Sequence, residues 1–439
     1  MKASNYNFFY DYPSESKILA YNSRTGALAL MKNDQYSVFN DYFQHNLISD
    51  MDEKLLTDLK RGGFVVEDNI DEIELIKLNL MSSRYSTEHL GLTIATTINC
   101  NLGCTYCYEK DNKNAFKMSD EVHQAIINFV RSRANTISTL GITWYGGEPL
   151  IGMDTIRYLS KEFMSICEEH NIEYNAGIIT NGYLLTPKIA EELKNYKVNF
   201  AQITIDGPEH IHDQRRPLIG GQPTFKKILQ NTKEASNILN SISIRINTDE
   251  TNKMELDSLL DVLEEYNLKE KTVVYLGHVH NSNECYSTNM CLTTESYSHT
   301  GYEFDKKAAN RGFNTGHIST PSPQGSFCTA DSNSSFVIDP EGFIYQCWVD
   351  IGNKEEAVGN LVNLEHLGNT AKLLDYLMYE PFEDPMCRDC KYLPVCMGGC
   401  PHSRLHHTVD RCTNYKYIME KKLLDYADFT ISNRELVKS

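Results

Sequence analysis

Cys100, Cys104 and Cys107 lie within a single short run, CNLGCTYCY. Three thiolates at this spacing on one loop can hold three irons of a cubane cluster. The fourth iron is then left without a protein ligand and can chelate a small molecule through an amine and a carboxylate. A zinc site or scattered core thiols are the other readings of such cysteines, although zinc wants four ligands and usually pairs two Cys-x-x-Cys knuckles. A second group follows much later: Cys328, Cys347, Cys387, Cys390, Cys396, Cys400 and Cys412. Gly342 precedes Cys347 with four residues between them, and the last five read CxxCx5CxxxC followed by Cys412. A pair of zinc knuckles is the competing reading here. Cys167 sits in a helical pattern and reads as a core residue.

The bulk composition fits metal use. The chain has 439 residues, enough for two or three domains, and 41% hydrophobic residues suffice for sizeable cores. The formal net charge of −17 argues against electrostatic binding of nucleic acid. No apolar run approaches the ~18–20 residues of a membrane span, and the N-terminus lacks the apolar segment of a signal peptide. The expectation is a cytoplasmic protein. In that reducing compartment, thirteen cysteines point to metal or redox use and away from disulfides.

Three regions must position these residues. Residues 1–87 contain no cysteine and open with the strand-like runs NFFYDY, KILAYN and ALALM, with a hairpin turn at Asn22–Gly26. Leu55, Leu56 and Leu59 recur at helical spacing before Gly62-Gly63, and Phe64–Val66 reads as a short strand. The expectation is a winged-helix-like α+β domain, with a charged linker helix over 67–87. Residues 88–312 alternate six strand runs (GLTIATTIN, LGITWY, NAGIITN, NFAQITID, SISIRIN, KTVVYLGH) with helical patterns. Ser119 and Thr186 are caps, with Pro187 at the first helical position. Six β-then-α units imply a parallel sheet with right-handed crossovers, curled into a partial (β/α)6 barrel of TIM type. Its chemistry belongs on the loops at the C-terminal ends of the strands. Residues 313–439 predict a hairpin over 336–345, a helix from Tyr415 to about Thr430, and a small core that metal clusters would staple.

The run CNLGCTYCY resembles the CxxxCxxC signature of the radical S-adenosylmethionine (SAM) superfamily, including the aromatic Tyr106 before the third cysteine. The resemblance implies that Cys100, Cys104 and Cys107 hold a 4Fe–4S cluster whose open iron binds S-adenosylmethionine. Reductive cleavage of that molecule gives a 5′-deoxyadenosyl radical, which takes hydrogen from unactivated carbon. Further positions agree. Gly146-Gly147-Glu148-Pro149 after the second strand resembles the GGEP segment, whose backbone and acid bind the methionyl amine. Asn181 after the third strand can meet ribose or carboxylate oxygens. Thr204, Asp206, His212-Asp213 and Arg216 after the fourth resemble the SxDGP…HDxxR stretch of peptide-modifying members, with Thr204 in place of the usual Ser and Arg216 as a bidentate partner for the methionyl carboxylate. Arg245 and Asn247 on the fifth strand face either the nucleoside or the core.

The seven later cysteines match the spacing of the SPASM domain, an iron–sulfur module with two auxiliary 4Fe–4S clusters, for three clusters in all. By that resemblance Cys387, Cys390, Cys396 and Cys412 hold one cluster, and Cys328, Cys347 and Cys400 the other. The fourth position of the latter is either open to a substrate thiolate or closed by Cys285 or Cys291.

Enzymes of this kind are oxidoreductases that act on peptides. Anaerobic sulfatase maturases, which form formylglycine, typically carry Asp directly after the Gx4C cysteine; here Trp348 follows Cys347, and Asp350 is the nearest acid. Their first cysteine motif lies near the N-terminus, whereas residues 1–87 precede it here. The whole chain most resembles thioether-forming maturases of ribosomal peptides (sactipeptide or ranthipeptide type). This implies a precursor peptide whose leader is gripped by the N-terminal domain through strand addition, and an external electron donor such as flavodoxin or ferredoxin. Carbon–carbon crosslinking, epimerisation and formylglycine formation remain as alternatives, and an iron–sulfur electron-transfer protein is the non-enzymatic one. No general base is singled out among Glu148, Asp206, Asp350 and the tyrosines.

Overall fold

The structure is a computed structural model; it describes residues 1–45, 51–109, 117–281, 286–363, 370–406 and 410–436. Strand β1 (Lys2–Ala3) is followed by a meander of β2 (Asn7–Tyr12), β3 (Lys17–Asn22) and β4 (Leu28–Lys32). Helices α1 (Asn33–His45) and α2 (Glu53–Gly62) follow. Gly63, at φ +74°, ends α2, its amide bonding back to the last turn. Strand β5 (Val65–Val66) pairs antiparallel with β1, and α3 spans Glu72–Arg84.

The meander is covered on both faces, which explains why β3 is buried almost throughout. Ile18, Ala20 and Met31 pack with Phe39 of α1 and Leu59 of α2. Phe8, Tyr12, Leu19 and Tyr21 pack with Met419, Leu423 and Ala427 near the C-terminus. The stretch expected as a charged linker helix is therefore no free linker. Ile76 and Leu80 of α3 share a cluster with Phe382, Leu393 and Met397, and buried Arg84 donates to the carbonyls of Leu377 (2.7 Å) and Tyr379 (2.8 Å).

The central region follows the expected alternation: β6 (His89–Thr97), α4 (Asp120–Arg133), β7 (Thr139–Gly146), α5 (Met153–His170), β8 (Glu173–Thr180), α6 (Pro187–Asn195), β9 (Val198–Thr204), α7 (Glu209–Arg215), α8 (Phe225–Ala235), β10 (Ser241–Thr248), α9 (Leu256–Glu265), β11 (Thr272–His278) and α10 (Thr294–Asn310). Ser119 and Thr186 cap α4 and α6 as expected. The six strands pair parallel in chain order. Their outward side chains, among them Ile94, Trp144, Ile178 and Ile203, form one large core with the helices.

The hairpin of the last region, β12 (Ser335–Ile338) and β13 (Phe343–Tyr345), joins this sheet. β12 pairs parallel with β6, and β14 (Gly359–Asn360) pairs with β13. Among the described residues the sheet thus has nine strands, β11-β10-β9-β8-β7-β6-β12-β13-β14, and runs across the boundary that the sequence places at 312/313. Short helices surround the remaining cysteines: α11 (Thr370–Leu377), α12 (Pro385–Arg388) with Cys387, α13 (Leu393–Cys396) with Cys396, and α14 (Pro401–His406); Cys390, Cys400 and Cys412 lie between helices. The last helix, α15 (Tyr415–Leu436), is longer than expected. No described helix is long and apolar enough to cross a membrane.

Candidate active site

The loop after β6 carries Cys100, Cys104 and Cys107 at the C-terminal end of the sheet. The amide of Leu102 points at Cys100 Sγ (3.4 Å) and that of Cys107 bonds the Cys104 carbonyl. Burial pushes the Cys100 thiol up to about 11 and the Cys107 thiol to about 12, and Cys104 adds to both shifts. Three thiols whose thiolates repel one another in a buried loop fit a cationic iron centre, which removes that repulsion.

Gly146 and Gly147 close against the same loop. A Cβ on Gly146 would lie 2.1 Å from the Thr97 carbonyl oxygen, and one on Gly147 2.4 Å from that of Ile98. Their amide neighbours complete the junction, Gly147 N donating to Thr97 O and Glu148 N to Asn99 O. The close approach here is to the chain's own backbone, so these glycines lock the cysteine loop to the end of β7. Glu148 is fully buried; it accepts from Thr180 Oγ1 (2.7 Å) and from the amides of Asn181 (2.8 Å) and Leu150 (3.1 Å). Burial pushes its carboxyl upward against those bonds and the charge of Arg216. Asn181 reaches the cysteine loop, donating to Asn101 Oδ1 at 2.8 Å, with Cys100 Sγ 3.7 Å away.

The residues after β9 form a network centred on Tyr106. Its hydroxyl donates to Asp206 and accepts from Arg216 (2.7 Å) and Asn247 (3.1 Å). Asp206, fully buried, also takes the Arg215 guanidinium and the Asn247 amide. Arg215 lies over the Tyr106 ring and pairs with Asp249. Burial drives the His212 imidazole down to about 3, so it stays neutral and its Nδ1 accepts the Asp206 amide. Asp206 is thereby placed as a holder of Tyr106. Thr204 is buried at the end of β9. Arg245 and Asn247 bond to each other, and Asn247 alone of the two reaches the network. Arg216 sits beside Cys104 and is buried, yet its Nε has no partner. A buried guanidinium with an unused donor fits a carboxylate ligand.

The later cysteines gather in the two sets that the resemblance implies. Cys387, Cys390, Cys396 and Cys412 line one cavity of about 70 Å³ together with Arg411 and Lys416, two cations that offset thiolate charge. Arg411 lies 3.9 Å from Cys387 Sγ and Lys416 4.0 Å from Cys412 Sγ. Gly399 is needed for this wrapping: it has φ +79°, and a Cβ on it would lie 1.9 Å from the Arg411 carbonyl oxygen. Cys347 neighbours Cys328 and Cys400 closely enough that each holds its thiol up, after burial and Asp350. Cys291 lies in the turn after β11, its thiol directed to the Ser287 carbonyl; Cys285 lies outside the described residues. Cys167 is a core residue on α5.

Sequence reasoning passed over the aromatic contact between the two cysteine regions. Tyr108, next to Cys107, meets Tyr145 of β7 hydroxyl to hydroxyl, and the Tyr145 ring lies 5.1 Å from that of Trp348, next to Cys347. It also passed over His402 and His406, which the structure brings to Asp350, the ligating atoms of the three lying within 4.8 Å of one another. The aromatic contact leaves no spacing signal, because its members come from separate elements, whereas His402 and His406 stand four residues apart on α14 and only their meeting with Asp350 was hidden.

Residues 94–263 match the radical SAM superfamily. Among curated proteins the chain is similar to the radical SAM cyclopropyl synthase TigE of Paramaledivibacter caminithermalis, 24% identical over 87% of this chain and 85% of that protein. It is also similar to a cysteine-type anaerobic sulfatase-maturating enzyme of Clostridium perfringens, 24% identical over 70% and 86%. Among solved structures, Streptococcus suis SuiB bound to its precursor peptide SuiA shares the fold, with a TM-score of 0.54 and 14% identity over 94% of this chain and 99% of that one. The part of the chain that matches the radical SAM superfamily, residues 94–263, is the part that carries Cys100, Cys104, Cys107 and the Tyr106 network.

Proposed function

We propose that this chain is a radical SAM maturase that joins a peptidyl cysteine sulfur to a carbon of an acceptor residue in a ribosomally made precursor peptide. Residues 1–87 bind the leader, 88–312 bind S-adenosylmethionine, and 313–439 carry two auxiliary clusters. The observation that carries this reading is the contact Tyr108–Tyr145–Trp348. It links the loop of Cys100, Cys104 and Cys107 to the segment of Cys347, which supports a hydrogen-abstracting centre and a site for thiolate chemistry that share one substrate.

With its cluster bound, S-adenosylmethionine supplies a 5′-deoxyadenosyl radical. The chain's own residues do the rest. Arg216 offers its unused Nε to the methionyl carboxylate, and Asp206 and Tyr106 fix that guanidinium. Glu148, tied to Thr180 and Asn181, holds the end of β7 and faces the methionyl amine. Cys100, Cys104 and Cys107 hold the first cluster. Cys387, Cys390, Cys396 and Cys412 hold the second, and Cys328, Cys347 and Cys400 the third. In the net reaction one hydrogen atom would leave the acceptor carbon and the substrate thiol would release a proton; an auxiliary cluster held by Cys328, Cys347 and Cys400 would supply the acceptor for the one electron left over as the C–S bond forms. An external flavodoxin- or ferredoxin-type donor returns electrons to the first cluster.

Anaerobic co-expression with each short cysteine-bearing peptide that neighbouring genes encode tests this. The expected product has lost a pair of hydrogens per modified cysteine and resists thiol alkylation, and fragmentation locates the acceptor. The similarity to a sulfatase-maturating enzyme supports a second reading, formylglycine formation; a mass loss of that type without a crosslink would replace the first reading with it.

A further inference from the structure

The lower half of the sheet leaves a cavity of about 440 Å³ on its inner face. Its floor consists of small residues in register across the strands. One row is Ser335, Gly91, Gly141 and Asn175; the next is Val337, Thr93, Thr143, Gly177 and Phe200. The glycines keep this floor low. A Cβ on Gly141 would lie 3.0 Å from the His89 ring, and one on Gly177 3.0 Å from the Phe200 ring. Five strands spaced about 4.8 Å apart give a trough roughly 19 Å across, the length of about five or six extended residues.

The wall of the cavity includes Thr329, Gln346 and Trp348, sequence neighbours of Cys328 and Cys347. Gln346 is only 3% exposed, and neither its Oε1 nor its Nε2 has a partner. A buried carboxamide with both ends unused is costly to a fold unless a ligand satisfies it. One donor and one acceptor side by side complement a single residue of an extended chain, whose N–H and C=O point to the same side.

We infer that this trough takes an extended segment of the peptide substrate and that Gln346 reads its main chain, Nε2 donating to a substrate carbonyl and Oε1 accepting from a substrate amide. This rests on the peptide-maturase reading above. Gln346 is a substrate-binding residue: it holds the substrate beside Cys347 without taking part in bond making, and its contacts are indifferent to side-chain identity at the segment it holds.

The test uses the holoenzyme with the same cysteine-bearing peptide. Gln346→Met keeps the length of the side chain and removes both hydrogen-bonding ends. It is expected to raise the KM for the peptide about tenfold, while iron per chain, the iron–sulfur spectrum and the rate of peptide-free S-adenosylmethionine cleavage stay at wild-type values. Peptides N-methylated one residue at a time are expected to show one position whose methylation weakens binding to wild type but not to Gln346→Met. An unchanged KM in the variant, or N-methylation that penalises both proteins alike, overturns the role of Gln346 and leaves the peptide-maturase reading intact. A wild-type enzyme that binds and modifies no peptide overturns both.

Discussion

Arg216 is the residue on which the cofactor side of the account turns. Its charge is held well above the ordinary range: burial works against it, and Cys104, Tyr106 and Asp206 more than offset that. Arg216→Lys keeps the charge but loses the planar fork. It is expected to raise the KM for S-adenosylmethionine by about tenfold or more, with the auxiliary iron retained; kinetics and iron content of the variant check both. Asp339 tests the electrostatics independently. Burial pushes its carboxyl up to about 6, and Tyr345 and the amides of Glu341 and Phe343 only partly oppose this. The folded-state value lies above the unfolded one, so this group's contribution to stability is complete at pH below about 4 and falls away as pH rises through about 6. Asp339→Asn cannot ionise. Its stability relative to wild type is expected to improve by about 3 kcal/mol between pH 4 and pH 8, read from denaturation midpoints at the two values. At this scale the cysteines, Gly146-Gly147, Glu148 and Arg216 were legible in the sequence because each carries a spacing. Asp206 was legible as a site residue, but its use as the anchor for Tyr106 was not, since that depends on Arg215 and Asn247 arriving from other elements.

Among the elements, α3 departs most from what the sequence suggests. Its charged surface hides a stripe of Ile76 and Leu80, too short to separate from a solvated linker by periodicity alone. The decisive residue is Arg84, a buried charge held by the carbonyls of Leu377, the last residue of α11, and of Tyr379 just beyond it. Arg84→Met leaves those carbonyls short of donors and is expected to destabilise the protein by about 2–4 kcal/mol, seen as a lower urea midpoint with an unchanged iron spectrum at low temperature. The six parallel strands were readable because β-then-α alternation admits few topologies. The docking of β12 beside β6 was not readable, because a hairpin's partner across a long separation leaves no local trace.

Across the whole molecule, the N-terminal meander and the cysteine-rich region pack as neighbours. Tyr21 bonds the Pro321 carbonyl, Ser23 that of Lys391, and Tyr12 bonds Asp428. These contacts join the meander to the cysteine-rich region without a loose hinge, and β2 and β4 remain as the edges of the meander where the proposed strand addition can occur. Composition and charge argue against electrostatic binding of nucleic acid; they held no information about this packing, which follows from apolar faces that only the folded chain brings together.

The claim beneath all of this is that Cys100, Cys104 and Cys107 hold the cluster that cleaves S-adenosylmethionine. The direct measurement is 5′-deoxyadenosine formed by anaerobically reconstituted, reduced protein, compared with a variant carrying Ala at those three cysteines. The account expects wild type to form it, and the variant to form none while losing about a third of the iron and retaining the rest. 5′-Deoxyadenosine from the triple variant at the wild-type rate, or none from fully iron-loaded wild type, would contradict it.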